Sequence, residues 1–91
     1  MMTLFDLLSV LSGYRFYLKL ICEDISIKPL CGDYIKPEVW TIKTKRIIKE
    51  YSNYYVFNVK ADKGIIYIII SDSRLLIDNL RADLADFLIN T

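Results

Sequence analysis

The sequence predicts an α+β protein, with a short N-terminal helix, an antiparallel sheet of about four to five strands, and a C-terminal helix packed on one face of that sheet. Apolar residues recur at helical spacing near both ends of the chain, whereas between the ends they alternate with polar residues as in strands. With 91 residues, 54% of them apolar, residues 1–91 are expected to form a single domain.

The first predicted helix covers residues 4–12. Thr3 is a suitable N-cap, and Asp6 three residues later forms an approximate capping box with it. Gly13 suits the position just after a helix, where many helices end with a residue in the left-handed conformation. The apolar positions that share one face of this helix are Leu4, Leu7, Leu8 and Leu11.

The first predicted strand covers residues 14–22, where apolar and polar residues alternate with period two. Its apolar face contains Tyr14, Phe16, Leu18, Leu20 and Cys22. A short strand is expected around residues 25–27. The next segment, residues 28–38, contains two prolines and a glycine and is predicted to be a loop.

Residues 38–51 fit two structures. Their many Thr, Ile, Trp and Tyr residues favour strands. A helix is the alternative, because five of the residues share one helical face. Those five are Trp40, Thr44, Ile47, Ile48 and Tyr51. We favour strands here.

A hairpin is predicted over residues 54–71, with Asp62, Lys63 and Gly64 as a three-residue loop. With a loop of this length, Ala61 pairs with Ile65. In that register, Ile69 lies on the face of its strand that is expected to pack against the helices. A final helix is expected from Arg74 to Ile89 after a cap at Asp72 or Ser73.

The second strand of this hairpin is apolar on both faces. Helices on one side of the sheet would leave Ile66, Ile68 and Ile70 to be covered by the 28–38 loop, by a second copy of the chain in a homodimer, or by a foreign partner. A central place in the sheet is the alternative that requires no binding function. We expect Ile68 to lie near a homodimer or partner contact.

The composition excludes several enzyme classes. The chain has no histidine, so Ser-His-Asp and Cys-His nucleophiles and the common zinc enzymes are excluded. There is no glycine-rich phosphate loop. Cys22 and Cys31 are interpreted as small buried residues, and a disulfide is the alternative if strands bring them together. We expect no catalytic residue, no metal site and no cofactor; a small hydrolase built on carboxylates or a cysteine is the least favoured hypothesis.

Neither a membrane nor secretion is indicated. The longest apolar run is far below the roughly 20 residues that a membrane-spanning helix needs. The opening stretch MMTLFDLLSVLSG lacks a basic region and contains Asp6, unlike a signal peptide. We therefore expect a cytoplasmic protein that does not bind a membrane.

A cluster of basic residues lies in a chain whose net charge is only +1. Aromatic residues are interleaved with it, and this combination is typical of surfaces that bind single-stranded nucleic acid. A solvated sheet edge is the alternative. The predicted partner-binding residues are Trp40, Lys43, Lys45, Arg46, Lys49, Tyr54 and Ile68.

The stretch TLFDLLSVLSG followed by YRFYLKL, with a later meander that ends in GIIYIIISD, resembles small accessory proteins encoded by phages of low-GC bacteria. Some phage proteins of this size are anti-CRISPR or other anti-defence inhibitors. The resemblance implies a non-enzymatic protein-binding module that occludes a host defence or nuclease complex in the host cytoplasm. The alternative function is a small single-stranded nucleic-acid-binding protein that uses the basic and aromatic segment 34–51.

Overall fold

Residues 2–89 fold as a four-stranded mixed sheet with three α-helices, which confirms the predicted α+β class. The computed structural model describes residues 2–89, without the side chains of residues 75, 76, 84, 85 and 87–89. The elements in chain order are α1 (Leu4–Leu8), β1 (Arg15–Ile21), β2 (Ile27–Tyr34), a 3₁₀ turn (Pro37–Val39), α2 (Ile42–Tyr51), β3 (Tyr55–Asp62), β4 (Ile65–Ser71) and α3 (Arg74–Ile89).

The two predicted terminal helices are both present. The Thr3 side chain accepts a hydrogen bond from the Asp6 backbone and the Asp6 carboxylate accepts one from Thr3, so the capping box is complete. However, α1 ends at Leu8, four residues earlier than predicted. α3 has the predicted bounds.

The strands lie in the order β2-β1-β4-β3. β1 pairs with β2, and β3 pairs with β4, in the antiparallel manner expected of hairpins. The inner strands β1 and β4 are parallel, so the prediction of a purely antiparallel sheet was wrong for this pair. The reason is that α2 lies in the connection between the hairpins, and a crossover of this kind can return the chain in the parallel direction.

β2 occupies most of the segment that was predicted to be a loop. Pro29 is tolerated because β2 is an edge strand, where a missing backbone N–H need not break a hydrogen-bond ladder. The register with β1 shifts between Leu18 and Lys19, which accommodates one extra residue in β2. The prediction of a loop was therefore wrong for residues 28–34, where Pro29 and Gly32 belong to an irregular edge strand.

The β3–β4 loop contains two residues, Lys63 and Gly64, with φ of 52° and 81°. Positive φ at both central residues is the pattern of a type I′ turn, which matches the twist of the strands that it joins. Asp62 consequently pairs with Ile65 and Ala61 with Ile66, one residue away from the predicted register.

Helices α1 and α2 cover the face of the sheet that contains Ile66, Ile68 and Ile70, and all three side chains are buried. The prediction that this face points away from the helices was wrong, and Ile68, with 0% of its surface exposed, is not available to a partner. Leu18 of β1 is the direct neighbour of Ile68. The core beneath the helices consists of Leu4, Leu7, Phe16, Leu18, Val56, Ile66, Ile68 and Ile70.

Residues 42–51 form helix α2, so the preference for strands there was wrong. Thr41 is the N-cap and its hydroxyl accepts a hydrogen bond from the Thr44 backbone. Ile47, Ile48 and Tyr51 pack against the core. The apolar helical face therefore outweighs the strand propensity of the individual residues, as tertiary packing commonly does.

α3 covers part of the opposite face of the sheet. Ile21, Ser71 and Ile77 are buried, yet they lie outside the main core. Ile21 and Ser71 belong to the odd-numbered positions of β1 and β4, which point away from α1 and α2. The expectation that both terminal helices pack on one face is therefore corrected, since each packs on its own face.

Candidate binding surfaces

Four of the predicted partner-binding residues lie together on the outside of α2. Lys43, Lys45, Arg46 and Lys49 are all exposed, because the apolar side of the helix turns inward. Among residues 2–89, no carboxylate lies within 4.0 Å of any of these four cations. The salt bridge in this part of the chain joins Arg74 to Asp78 in α3. These four residues are called the α2 basic face below.

The N-terminus of α2 is attached to β2 through Asp33. This carboxylate is buried, with 5% of the residue exposed, and its hydrogen-bond partners are all donors. It accepts hydrogen bonds from the Thr44 hydroxyl at 2.6 Å, the Tyr34 N–H at 2.7 Å and the Thr41 N–H at 3.1 Å. The position of the α2 basic face therefore depends on a carboxylate on the neighbouring strand.

The same hydrogen bonds stabilise the charged form of Asp33. The Thr44 hydroxyl contributes most to lowering the pKa of this carboxyl, and the backbone donors at Tyr34 and Thr41 add to it, while burial acts in the opposite direction. Asp33 is thus an ionised structural group, since its lone pairs are used by the chain itself.

The predicted aromatic contacts are turned toward the core. Trp40 donates its indole N–H to the Tyr34 carbonyl at 2.6 Å and lies edge-on to Phe16, with ring centroids 6.0 Å apart. Tyr54 packs edge-on against Tyr51 at 4.7 Å. The basic and aromatic residues of segment 34–51 therefore do not form one continuous stacking surface.

An apolar groove adjoins the α2 basic face. It has a volume of about 280 Å³ and lies between α1 and α2, where Phe5, Trp40 and Ile48 line it. Phe5 is 64% exposed, because it lies off the buried side of α1. Lys45 is one helical turn from Ile48, so charge and apolar surface occur side by side. Phe5 was not among the predicted binding residues, although its position outside the leucine stripe of α1 indicated an exposed aromatic ring.

A second surface lies on the opposite face of the sheet. Gly32, Tyr17, Tyr67 and Lys60 are direct neighbours across β2, β1, β4 and β3. The rings of Tyr17 and Tyr67 are stacked, with centroids 5.7 Å apart and planes 19° from parallel. A Cβ atom at Gly32 would come within 2.5 Å of Cδ1 of Tyr17, so the Tyr17 ring occupies the space above this glycine.

The two cysteines are free thiols and neither is fully buried. Burial raises the pKa of Cys31 to about 11, and the nearby Asp33 charge acts in the same direction. This thiol is therefore protonated at neutral pH and is a poor nucleophile. Within the described residues, no group of three or more Cys, Asp or Glu side chains is placed to hold a metal ion, and no helix there has the length and apolarity to cross a membrane.

Comparison with protein-family models, curated proteins and solved structures gives no match for this chain.

Proposed function

We propose that the protein is a non-enzymatic binding module that acts by occupying the surface of a larger host protein complex. The observation that carries this proposal is the apolar groove beside Phe5 and Trp40, next to four cations without an acidic partner among residues 2–89. Protein interfaces typically combine an apolar centre with a charged rim. Unpaired cations also increase the rate of association with an acidic partner.

The partner that fits this surface is a protein with an acidic patch around an apolar projection. A nuclease or other defence complex of a phage host is the proposed example, in line with the resemblance to phage accessory inhibitors. The module then inhibits by steric occlusion, in the host cytoplasm and without a cofactor.

The experiment is affinity capture from a lysate of the native host, with the partner then purified and its affinity measured. The test variant carries Lys43→Gln, Lys45→Gln, Arg46→Gln and Lys49→Gln, since glutamine preserves helix propensity. The matched control carries Lys28→Gln, Lys63→Gln, Arg74→Gln and Arg81→Gln, which changes the net charge equally at other places. We expect the test variant to weaken capture, with the largest difference from wild type at low salt.

A second variant, Phe5→Ser, probes the groove without changing charge. We expect it to weaken binding of the same partner at every salt concentration, because apolar contacts are not screened. If both variants bind the purified partner as tightly as wild type, this surface is not the interface and the proposal fails. If the charge control weakens binding as much as the test variant, only net charge is involved.

A further inference from the structure

Three exposed tyrosines of this protein lie on one face of the sheet, and a fourth, Tyr14, contacts one of them. Four tyrosines are more than a third exposed, and all four lie on β1, β2 and β4 or directly before β1. They are Tyr14 at 63%, Tyr17 at 38%, Tyr34 at 40% and Tyr67 at 37%. Of the other three, Tyr51 and Tyr54 pack against the main core, and Tyr55 is half-buried on β3. This distribution gives the open face a group of exposed aromatic rings.

The aromatic rings on this face are held by their neighbours. Tyr17 and Tyr67 stack on each other, and the glycine beside them leaves room for the Tyr17 ring to lie over β2. One row further along the strands, the Arg15 guanidinium lies 5.0 Å from the centroid of the Tyr34 ring. Tyr14 contacts the same ring edge-on, with centroids 5.5 Å apart. The rings are therefore arranged before any ligand binds, which reduces the entropy cost of binding.

Cations surround these rings. Arg15 and Lys19 point to this face from β1, and Lys60 points to it from β3. Lys36 lines a pocket of about 330 Å³ together with Tyr14 and Tyr34. Of the residues in strands β1 to β4 that point to this face, Asp62 is the only acidic one. The strand residues of this face thus carry three cations, Arg15, Lys19 and Lys60, against one acid.

We propose that this face binds single-stranded nucleic acid. The nearly parallel rings of Tyr17 and Tyr67 provide stacking surfaces for unpaired bases, which carry a π-face whatever their sequence. Lys19, Lys60 and Arg15 are placed around the rings, where they neutralise backbone phosphates. A duplex does not offer its base faces to such a surface, so the single strand is the preferred form. This site lies on the side of the sheet opposite the α2 basic face, so the proposal is independent of the proposed function.

The test uses fluorescence anisotropy with fluorescein-labelled oligo-dT and oligo-U of about 12 nucleotides, within the usual site size of a small binding domain. A labelled duplex of the same length is the comparison, in about 0.05 M salt where phosphate contacts are strong. Wild-type protein is expected to bind both single strands and to bind the duplex more weakly.

Tyr17→Thr and Tyr67→Thr remove a ring each while keeping a residue suited to strands. Each is expected to weaken oligonucleotide binding roughly tenfold, whereas Tyr17→Phe and Tyr67→Phe keep the stacking surface and bind as wild type does. Gly32→Ala displaces the Tyr17 ring without removing it, and it is expected to weaken binding as well.

Variants at exposed charges separate binding from folding. Lys19→Gln with Lys60→Gln is expected to leave thermal melting unchanged and to flatten the dependence of log affinity on log salt by about 1.4, the value for two phosphate contacts on a single strand. The four-glutamine variant of the α2 basic face is expected to retain binding, because those cations lie on the other side.

Three outcomes would overturn the proposal. The first is no binding of either single strand by folded wild-type protein. The second is binding that the α2 variant abolishes while the Lys19 and Lys60 variant has no effect, which would place the nucleic acid on the helix. The third is equal affinity for single strand and duplex with no loss in the folded tyrosine variants, which indicates general charge attraction.

Discussion

Asp33 is the side chain on which the attachment of α2 to the sheet depends. Its carboxylate accepts hydrogen bonds from Thr44, Tyr34 and Thr41, and it lies at the positively polarised N-terminus of the helix. We expect Asp33→Ala to lower the free energy of unfolding by about 2–3 kcal/mol, because several buried donors lose their acceptor. Urea unfolding measures this loss, and an unchanged midpoint would show that α2 is held by apolar packing alone.

The same residue predicts an acid dependence. Since hydrogen bonds lower the pKa of Asp33 in the folded protein, its stabilising contribution is complete above the ordinary carboxyl pKa of about 4 and is lost as the pH falls below it. We expect Asp33→Asn to show a flatter decline in melting temperature between neutral pH and the acid range than wild type shows. Parallel curves for the two proteins would contradict this assignment.

The β1–β2 hairpin contains the clearest local conflict between sequence and backbone. Ile25 has φ of 68°, in the left-handed region that β-branched residues avoid, and its side chain is exposed. The turn is held by Asp24, whose carboxylate accepts a hydrogen bond from the Ser26 backbone at 3.0 Å. We expect Ile25→Gly to stabilise the protein by roughly 1 kcal/mol, because glycine adopts positive φ without steric cost.

Thermal melting measures the effect of Ile25→Gly, and the opposite change provides the control. Gly64 also has positive φ, at 81°, so Gly64→Ala is expected to lower the melting temperature. A lower melting temperature for Ile25→Gly would mean that the exposed isoleucine side chain contributes more than its backbone costs.

The orientation of β4 determines which isoleucines hold α1 and α2 to the sheet. Ile68 is fully buried beneath α1 and α2, whereas its neighbour Ile69 is only partly buried on the other face. We expect Ile68→Ala to cost about 2–5 kcal/mol of unfolding free energy and Ile69→Ala to cost less. Urea unfolding of the two variants decides between the faces, and a larger loss for Ile69→Ala would reverse the assignment.

The sequence predicted the class of fold and most of the elements, because apolar spacing reports directly on helices and strands. It did not predict which face of β4 is buried, since Ile65 to Ile70 are apolar throughout and either register covers an apolar row. It also predicted strands for residues 42–51. The contacts that favour a helix there are made with Asp33 and with the core, which lie outside this segment of the sequence. For the same reason, the four cations were identified but the groove beside Phe5 and the Tyr17–Tyr67 stack were not.

The parallel pairing of β1 with β4 has a consequence for the order of folding. Each hairpin closes a short loop, but Arg15 meets Ile65 only after a loop of about 50 residues is closed, which costs roughly 3 kcal/mol more chain entropy than a two-residue turn. We therefore expect the seam between the hairpins to form late, after the local turns. Tyr17 and Tyr67 stand on opposite sides of that seam. Neither half of the chain carries the stacked pair by itself, so this aromatic surface comes into existence only when the two halves dock, and a nascent chain does not present it before synthesis has passed β4.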